Sequence, residues 1–413
     1  MNTVGKKLFL KRTMRKTPLA HKTVLVRADY NVPLNDDGSI ADDFRIRASV
    51  PTIERLLADG CRVVIISHLG RPKGTRDAKY SLEPAAARLA KLLGRDVRFV
   101  DDCIGPRVKM ALKRATMSSV TVLENLRFYP EEEANDSAFA RSLVRDSGAQ
   151  YFVQDGFGVV HRAHASTDAI TQYLPSVAGL LLQREYTEIV GAMKAPRRPL
   201  VALLGGAKVS DKIQIIDELV RVADQIIIGG AMANTFLAYQ GYSVGQSKVE
   251  VGQNQIIENI YDAIAKKVST KFRDNFLVLP SDLGVASAIN NSEDRRVVSV
   301  DQVRPDDIIL DIGDQSIERM VAALGRAQTV IWNGTLGMAE LPNFAHGSAR
   351  AALELAEHPE KTSIIGGGDT AEFVINWDGK HGDSFSHVST GGGASLELMA
   401  GEKLPGIEAL LDA

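Results

Sequence analysis

Short strands of consecutive apolar residues alternate with helix-length segments along the whole chain, and each strand runs directly into a loop of recurring type. Strands that are apolar on both faces suit a sheet covered by helices on each side, so the alternation predicts parallel βαβ units. In the second half, four strands end in paired or tripled glycines: LVALLGGAKVSDK (200–212), QIIIGGAMANTF (225–236), TSIIGGGDTAEF (362–373) and HVSTGGGASLEL (387–398). Glycine there lets backbone approach a ligand and aims the N–H groups of the next helix at it, which is how phosphate is held. In the first half the strands at 24–27, 62–67, 121–125 and 151–155 feed loops that carry arginine and histidine instead: VLVRADYNVP, VVIISHLGRPKG, VTVLENLRFYP and GFGVVHRAHAS. Ligands of parallel sheets bind beyond the carboxyl ends of strands. The contrast therefore predicts two ligands, a nucleotide on the glycine side and a small, multiply anionic substrate on the cationic side.

A chain of 413 residues favours two domains over one core. The boundary falls near QREYTEIVGAMKAPRRPL (183–200), where a helical pattern ends in a basic, proline-bracketed turn. It separates a domain at 1–185 from one at 186–397, the latter with strands at 200–204, 225–228, 276–279, 308–311, 329–332 and 362–365. Both read as doubly wound parallel sheets. The net charge of -2 supplies no global attraction to nucleic acid or anionic membrane, so anion binding must come from local clusters. No apolar run reaches the roughly 18 residues of a membrane span. Cys61 and Cys103 provide no disulfide framework and read as thiols of a reducing compartment, the cytoplasm. The stretch 1–28 holds no acidic residue and eight basic ones, from Lys6 to Arg27. It reads as an exposed, solvated lead-in, with a targeting signal as the alternative because organelle transit peptides share the basic bias; Leu8, Phe9 and Leu10 are too few for a secretory signal, and serines are absent.

The bland alternatives differ from loop to loop. Asp29 and Asn31 before Pro33 suit an Asx turn. His68, Arg71, Arg127 and Arg162 taken singly would be surface residues, but parallel strands bring their loops together, which favours a socket for a phosphate ester and a carboxylate. Arg45, approaching a helix, is placed less firmly by spacing alone. Lys208 and Lys212, four apart, are predicted on one face of an opening helix turn, with Lys208 reaching a transferring phosphate as a mobile point charge. Gly206, Gly230, Gly366, Gly367 and Gly368 are candidate phosphate contacts. Asp369 and Thr370 follow at a helix start, where aspartate is either an N-cap or the holder of a well-hydrated Mg²⁺ ion. Asn333 and Glu340, in IWNGTLGMAE, are candidates for ribose or a metal-bound water. Glu131 to Glu133 after Pro130 suggest a helix first turn, and NDDGS (35–39) a turn without calcium-loop spacing. His161 and His164 have no third ligand spaced to complete a zinc site.

The segments LVRADYNVPL, SHLGRPKG, LENLRFYPEEE, HRAHAST, GGAKVSDKI, IIGGGDTAEF and STGGGASLELMAGEKLPG, in this order from about residue 20 to the end, closely resemble the phosphoglycerate kinases. The resemblance implies a monomeric two-domain enzyme of glycolysis and gluconeogenesis that moves a phosphoryl group between 1,3-bisphosphoglycerate and ADP, giving 3-phosphoglycerate and MgATP. It implies a hinge helix between the domains, closure on the ligands, and a C-terminal segment, about 398–413, returning to the first domain. Asp29, Asn31, Arg45, His68, Arg71, Arg127 and Arg162 fall on the family's phosphoglycerate positions. Lys208, Lys212, Asn333, Glu340, Asp369 and Thr370 fall on its nucleotide and metal positions, and Gly391 and Gly392 on glycines near the transferred phosphate. Arg45, Lys208, Gly368 and Gly391 would then act in catalysis.

The chain departs from the usual family pattern at WNGTLGMAE (Thr335, Met338 and Ala339), at DIGDQS (311–316), at Ala231 and at Gly156. These changes bear on the wall around base and ribose more than on the phosphates, and so on nucleotide affinity and base preference. Two other classes compete. A nicotinamide-dependent dehydrogenase would need GxGxxG with an acidic residue about 20 positions on, which none of the glycine loops has. A catalytically idle nucleotide-binding scaffold would be favoured by loss of Lys208, Arg45 or Asp369, and all three are present.

Overall fold

The computed structural model describes residues 7–290 and 295–413. They form two units, one of residues 7–187 with Lys403–Ala413 and one of Glu188–Glu402. Lys6 of the basic lead-in lies outside the described residues.

The first unit is built on a parallel sheet of β1 (Thr23–Arg27), β2 (Arg62–Ile66), β3 (Val97–Val100), β4 (Val120–Leu123), β5 (Tyr151–Gln154) and β6 (Ser176–Ala178), in the order β3-β4-β2-β1-β5-β6. Successive residues serve opposite faces. Val24, Val26, Val63 and Ile65 enter one core, and Leu25, Val64 and Ile66 enter the other. This two-sided burial is why the strands read as unbroken apolar runs. The chain builds outward from β1, first through β2 to β4 and then through β5 and β6, so the topological switch point lies between β1 and β5.

The described part of the lead-in, 7–28, differs from expectation, since it is not a solvated arm. Phe9 is buried and packs edge-on to Tyr186 at 5.0 Å between ring centres; Met14 and Leu19 are buried as well. Burying a side chain of this size contributes about 1.5–3 kcal/mol, and beside it Lys11 turns its ammonium to Glu408 O (2.8 Å) and Leu410 O (3.2 Å). The C-terminal segment packs into the same unit: Gly406 N donates to Val160 O (2.8 Å), Leu411 N to Ser176 O (3.0 Å) and Arg12 N to Leu411 O (2.7 Å). The three glutamates after Pro130 also depart from expectation. Residues 131–135 form turns, the next helix is Ser137–Ser147, and Asp136 caps it by accepting from Phe139 N at 2.7 Å. Glu132 is wholly buried and serves elsewhere, as described below.

The second unit repeats the plan with β7 (Leu200–Leu204), β8 (Gln225–Ile228), β9 (Leu277–Val278), β10 (Asp282–Ala286), β11 (Arg296–Ser299), β12 (Ile308–Ile312), β13 (Thr329–Asn333), β14 (Thr362–Gly366) and β15 (His387–Val388). The parallel sheet runs β15-β14-β13-β7-β8-β9, and its switch point lies between β7 and β13. The strand expected at 308–311 is real but lies elsewhere. β12 pairs with β10, and β10 with β11, in a separate antiparallel sheet. Its apolar residues serve small clusters of their own, around Leu283 and Val285 and around Ala286 and Leu310. An apolar run shows that a strand is buried and leaves its partner open.

The helix Leu180–Lys194 carries the chain across the division at 187/188. Asp155, just beyond β5, accepts from Leu181 N (2.9 Å) at the start of that helix, and burial pushes its carboxyl up to about 7. A carboxyl that binds its proton more tightly folded than unfolded contributes stability that is whole below about pH 4 and is lost as pH rises through 7. Asp155→Asn is therefore expected to flatten the decline in stability between pH 4 and 7, by at most about 4 kcal/mol. Urea unfolding of both proteins at pH 5 and pH 8 checks this; an unchanged difference would show that Asp155 ionises freely.

Candidate functional site

At the switch point of the first unit, β1 delivers Arg27 and then Asp29 and Asn31. Asn31 N donates to Asp29 Oδ1 (3.1 Å), the Asx turn expected from sequence, and Asn31 Oδ1 accepts from Gly70 N (2.8 Å) on the loop after β2. Arg45, in the first turn of the helix Phe44–Ala58, donates to Asn31 O (2.5 Å) and lies 3.7 Å from Asp29. His68 is buried, 3.2 Å from Arg27 Nη2 and 3.9 Å from Asp29 Oδ1. Burial first, then the charges of Arg27, Arg127 and Arg45, hold its pKa well below the ordinary value, so the ring is neutral at pH 7. Arg127 donates through Nη1 to Gly70 O (2.7 Å). Its Nε lies 3.1 Å from Glu133 without hydrogen-bonding alignment, and its buried Nη2 has no hydrogen-bond partner. A buried guanidinium N–H left open is a vacancy suited to an anion's oxygen. Arg162 is half-buried and bonds His161 (3.2 Å); Arg71 is exposed on the loop just past Gly70.

Arg27 and Glu132 escaped the sequence reading. Arg27 is 1% exposed, donates to Ser166 Oγ (2.7 Å) and Ala28 O, and lies 4.0 Å from Glu132. Glu132 accepts from Ser166 N (3.0 Å) and Ser166 Oγ (2.5 Å). This buried charge network underlies the cationic loops. His164 lies 4.0 Å from Glu132, and burial lowers its pKa to about 4. The arginine within the strand and the glutamate 105 positions later, between Arg27 and Glu132, share no local pattern in the sequence.

At the second switch point the glycines cross. Gly205 N donates to Asn333 O (3.0 Å) and Gly206 N to Thr335 O (3.0 Å), so the loops after β7 and β13 pass backbone to backbone. A methyl group at Gly205 would overlap Thr335 O, and Gly334 sits at φ +98° with a Cβ position 2.7 Å from Lys212 Nζ. Only glycine permits that approach. Gly366 and Gly367 bring the β14 loop against Asn333, whose buried Nδ2 has no hydrogen-bond partner. Thr370 is buried and accepts from Gly334 N (2.7 Å), while Asp369 is exposed in the first turn of the helix Gly368–Asp378. Gly391 precedes the helix Gly392–Met399, and a Cβ on Gly392 would stand 3.5 Å from Gly368 N.

The two lysines separate, contrary to the shared helix face expected. Lys208 lies in the loop before the helical turn and is exposed. Lys212 is buried beneath the crossing and donates to Asn333 O (2.7 Å) and Oδ1 (2.5 Å); burial lowers its pKa to about 8. Beside the crossing opens a cavity of about 1060 Å³, whose lining includes Gly206, Gly230, Thr335 and Asp369. Its wall includes Ala231, Met338, Ala339 and Glu340, so most of the departures from the family pattern do fall there. Asp314 of DIGDQS does not; it opens the helix Asp314–Arg326 and pairs with Arg295 at 2.9 Å. Gly156 belongs to the first unit, where a Cβ would press on Ala28 C at 3.1 Å. Asn234, unsingled in the sequence, also lines the cavity; its Nδ2 donates to Lys248 O (3.2 Å) and its Oδ1 has no hydrogen-bond partner.

Two switch-point mouths, one walled by guanidinium groups and one by glycine backbone and a nucleotide-sized cavity, define a two-domain α/β protein built to handle phosphorylated ligands. The phosphoglycerate kinase family profile matches residues 14–402. The chloroplastic phosphoglycerate kinase of Volvox carteri is 47% identical over 96% of this chain and 84% of its own length, and that of Moorella thermoacetica 46% over 97% and 99%. The solved phosphoglycerate kinase of Coxiella burnetii superposes with a TM-score of 0.82 at 34% identity, covering 97% of this chain and 98% of its own, and that of Pyrococcus horikoshii with 0.80 at 28%. The chain belongs to the phosphoglycerate kinase family. None of its helices among the described residues is long and apolar enough to cross a membrane.

Proposed function

We propose that the chain catalyses reversible phosphoryl transfer between 1,3-bisphosphoglycerate and ADP, giving 3-phosphoglycerate and MgATP. The observation that carries this reading is the glycine crossing at β7 and β13 beside the cavity, with Lys208 exposed on the same loop two residues past Gly206. The glycerate ligand is assigned to Asp29, Asn31, Arg45, His68, Arg71, Arg127 and Arg162. Neutral His68 donates or accepts a hydrogen bond there without adding charge, and the arginines supply charge and bidentate geometry for phosphate and carboxylate. The nucleotide is assigned to Gly206, Gly230, Asn333, Glu340, Gly366 to Gly368 and Thr370, with Lys208 and Lys212 as cations.

The acceptor is a carboxylate, ionised above a pKa of about 4, so no general base is needed. In the direction of ATP use, a carboxylate oxygen bonds to the γ-phosphorus as the bond to the β–γ bridging oxygen breaks, and ADP leaves with that electron pair. Positioning and charge neutralisation carry the step: Arg45 and Lys208 provide cations, and the backbone N–H group at Gly368, with the helix that opens just past Gly391, provides fixed dipoles. The nucleotide enters as its Mg²⁺ complex. The exposed carboxylate of Asp369 would suit an ion that keeps most of its water, and no group of three acidic, histidine or cysteine side chains among the described residues would make a dedicated cage. The two buried free thiols, Cys61 and Cys103, suit a reducing compartment such as the cytoplasm, where the chain would act as a monomer.

A coupled assay for ADP formation tests the reading: turnover should require ATP, Mg²⁺ and 3-phosphoglycerate together. Binding of both ligands without turnover would favour the scaffold. Replacing ATP by GTP measures what Ala231, Thr335, Met338 and Ala339 do to base choice. Lys212 gives a pH signature. It is charged below about 8 and loses its proton above, so ADP affinity should fall as pH rises through 8, with proton uptake on binding near that pH. Calorimetry in buffers of differing ionisation enthalpy reads that uptake; its absence would remove Lys212 from the phosphate site.

A further inference from the structure

Lys208 is exposed, yet the loop that carries it is not loose. On its N-terminal side, Gly205 and Gly206 are fixed by the crossing. On its C-terminal side the backbone is fixed by Glu250, 42 positions away from Lys208 in the sequence. Glu250 Oε2 accepts from Val209 N (2.7 Å) and Ser210 N (3.1 Å), and Oε1 accepts from Ser210 Oγ. These donors open the turn Ser210–Lys212 and the helix Ile213–Val222, where backbone N–H groups have no partner within the helix. A carboxylate satisfies them with charge-assisted bonds.

Glu250 is itself held from behind. Its N donates to Thr235 Oγ1 (3.1 Å) on the helix Gly230–Tyr239, which starts at the nucleotide cavity. Lys248 O accepts from Asn234 of the same helix (3.2 Å), and Ser247 Oγ accepts from Ile309 N (2.8 Å) on β12. The segment 247–250 is thus pinned on both sides and ends in the carboxylate that grips the lysine loop.

We infer that Glu250 is a positioning residue for phosphoryl transfer, fixing the backbone just after Lys208 as the glycine crossing fixes it just before, so that a flexible side chain swings from a fixed Cα. The inference deepens the assignment of Lys208 to the transferring phosphate and rests on it. A mobile ammonium on a mobile loop would meet the transition state less often, and small misplacements of a charged group are costly in rate. The gripped residues, Val209 and Ser210, do not line the nucleotide cavity, so loss of the grip should lower kcat and leave nucleotide binding nearly intact.

The test compares the native chain with Glu250→Ala, Glu250→Gln, Lys208→Ala and the double variant Lys208→Ala/Glu250→Ala. The readouts are ATP-dependent phosphorylation of 3-phosphoglycerate, ADP affinity and thermal unfolding. Glu250→Ala should lose about tenfold in kcat with ADP affinity within about threefold of native. Glu250→Gln, whose amide oxygen still meets Val209 N, should retain most of the rate. Adding Glu250→Ala to Lys208→Ala should cost nothing further, because its effect passes through Lys208. Should the alanine variant not fold, Glu250→Asp, which keeps charge but is too short to reach the loop, supplies the same comparison. A full tenfold loss in the Lys208→Ala background, or a native kcat in Glu250→Ala, overturns the inference. A native chain without turnover would instead defeat the proposed function itself.

Discussion

Lys208→Ala is expected to lower kcat by about 10²–10³ while leaving the fold unchanged. The factor is that for removing one preorganised group that meets charge developing in a transition state. Lys208 is exposed, and exposed substitutions usually change stability by less than about 0.5 kcal/mol, so the loss cannot come from unfolding. Lys212 makes the contrast. It is buried and donates to both Asn333 O and Asn333 Oδ1, so its removal leaves acceptors unpaired beneath the crossing and should cost stability as well as rate. Steady-state kinetics and a melting curve on the two variants separate the roles. A Lys208→Ala enzyme with kcat within a few-fold of native would remove it from the transferring phosphate.

The second large effect is expected in the other unit, on stability. Glu132→Ala should destabilise the protein by about 3–5 kcal/mol, because Arg27 would be left charged at 1% exposure without its carboxylate. Burial alone raises the Glu132 pKa; the charge of Arg27 and the bonds from Ser166 counter it. Glu132→Gln keeps acceptors for Ser166 and should cost less. Urea unfolding at pH 7 measures both, and a midpoint shift with constant slope would mark the native state as the one affected. An alanine variant within about 1 kcal/mol of native would mean that water or another group reaches Arg27.

The two residues also show where sequence reading stops. Glycine pairs at strand ends announce themselves, since backbone must pass close to something there, and the crossing at Gly205 and Gly334 is that something. Arginine and histidine loops gather because parallel strands end at one edge, which a strand pattern already implies. Glu132 was hidden by its neighbours: three glutamates after a proline look like a helix start, but Asp136 holds the cap and Glu132 turns inward to Ser166. Its partner is 34 residues away from it and no periodicity connects them. Lys208 and Lys212 fail the helix spacing because the α-helix begins only at Ile213, after a loop and the short 3-10 turn Ser210–Lys212. β10 to β12 pair antiparallel, and apolar runs do not name a pairing partner. Phe9 and Met14 show how a basic lead-in can be covered through its few apolar side chains.

The most direct test of the account is phosphorus NMR of the native chain with ATP, Mg²⁺ and 3-phosphoglycerate at enzyme concentrations comparable to substrate. A new acyl-phosphate resonance is expected in equilibrium with ADP, absent when 3-phosphoglycerate is omitted and appearing at least a hundredfold more slowly with Lys208→Ala, on the order of the loss expected for such a group. Ligand resonances that shift on binding, with no acyl phosphate formed by the folded native chain, would contradict it.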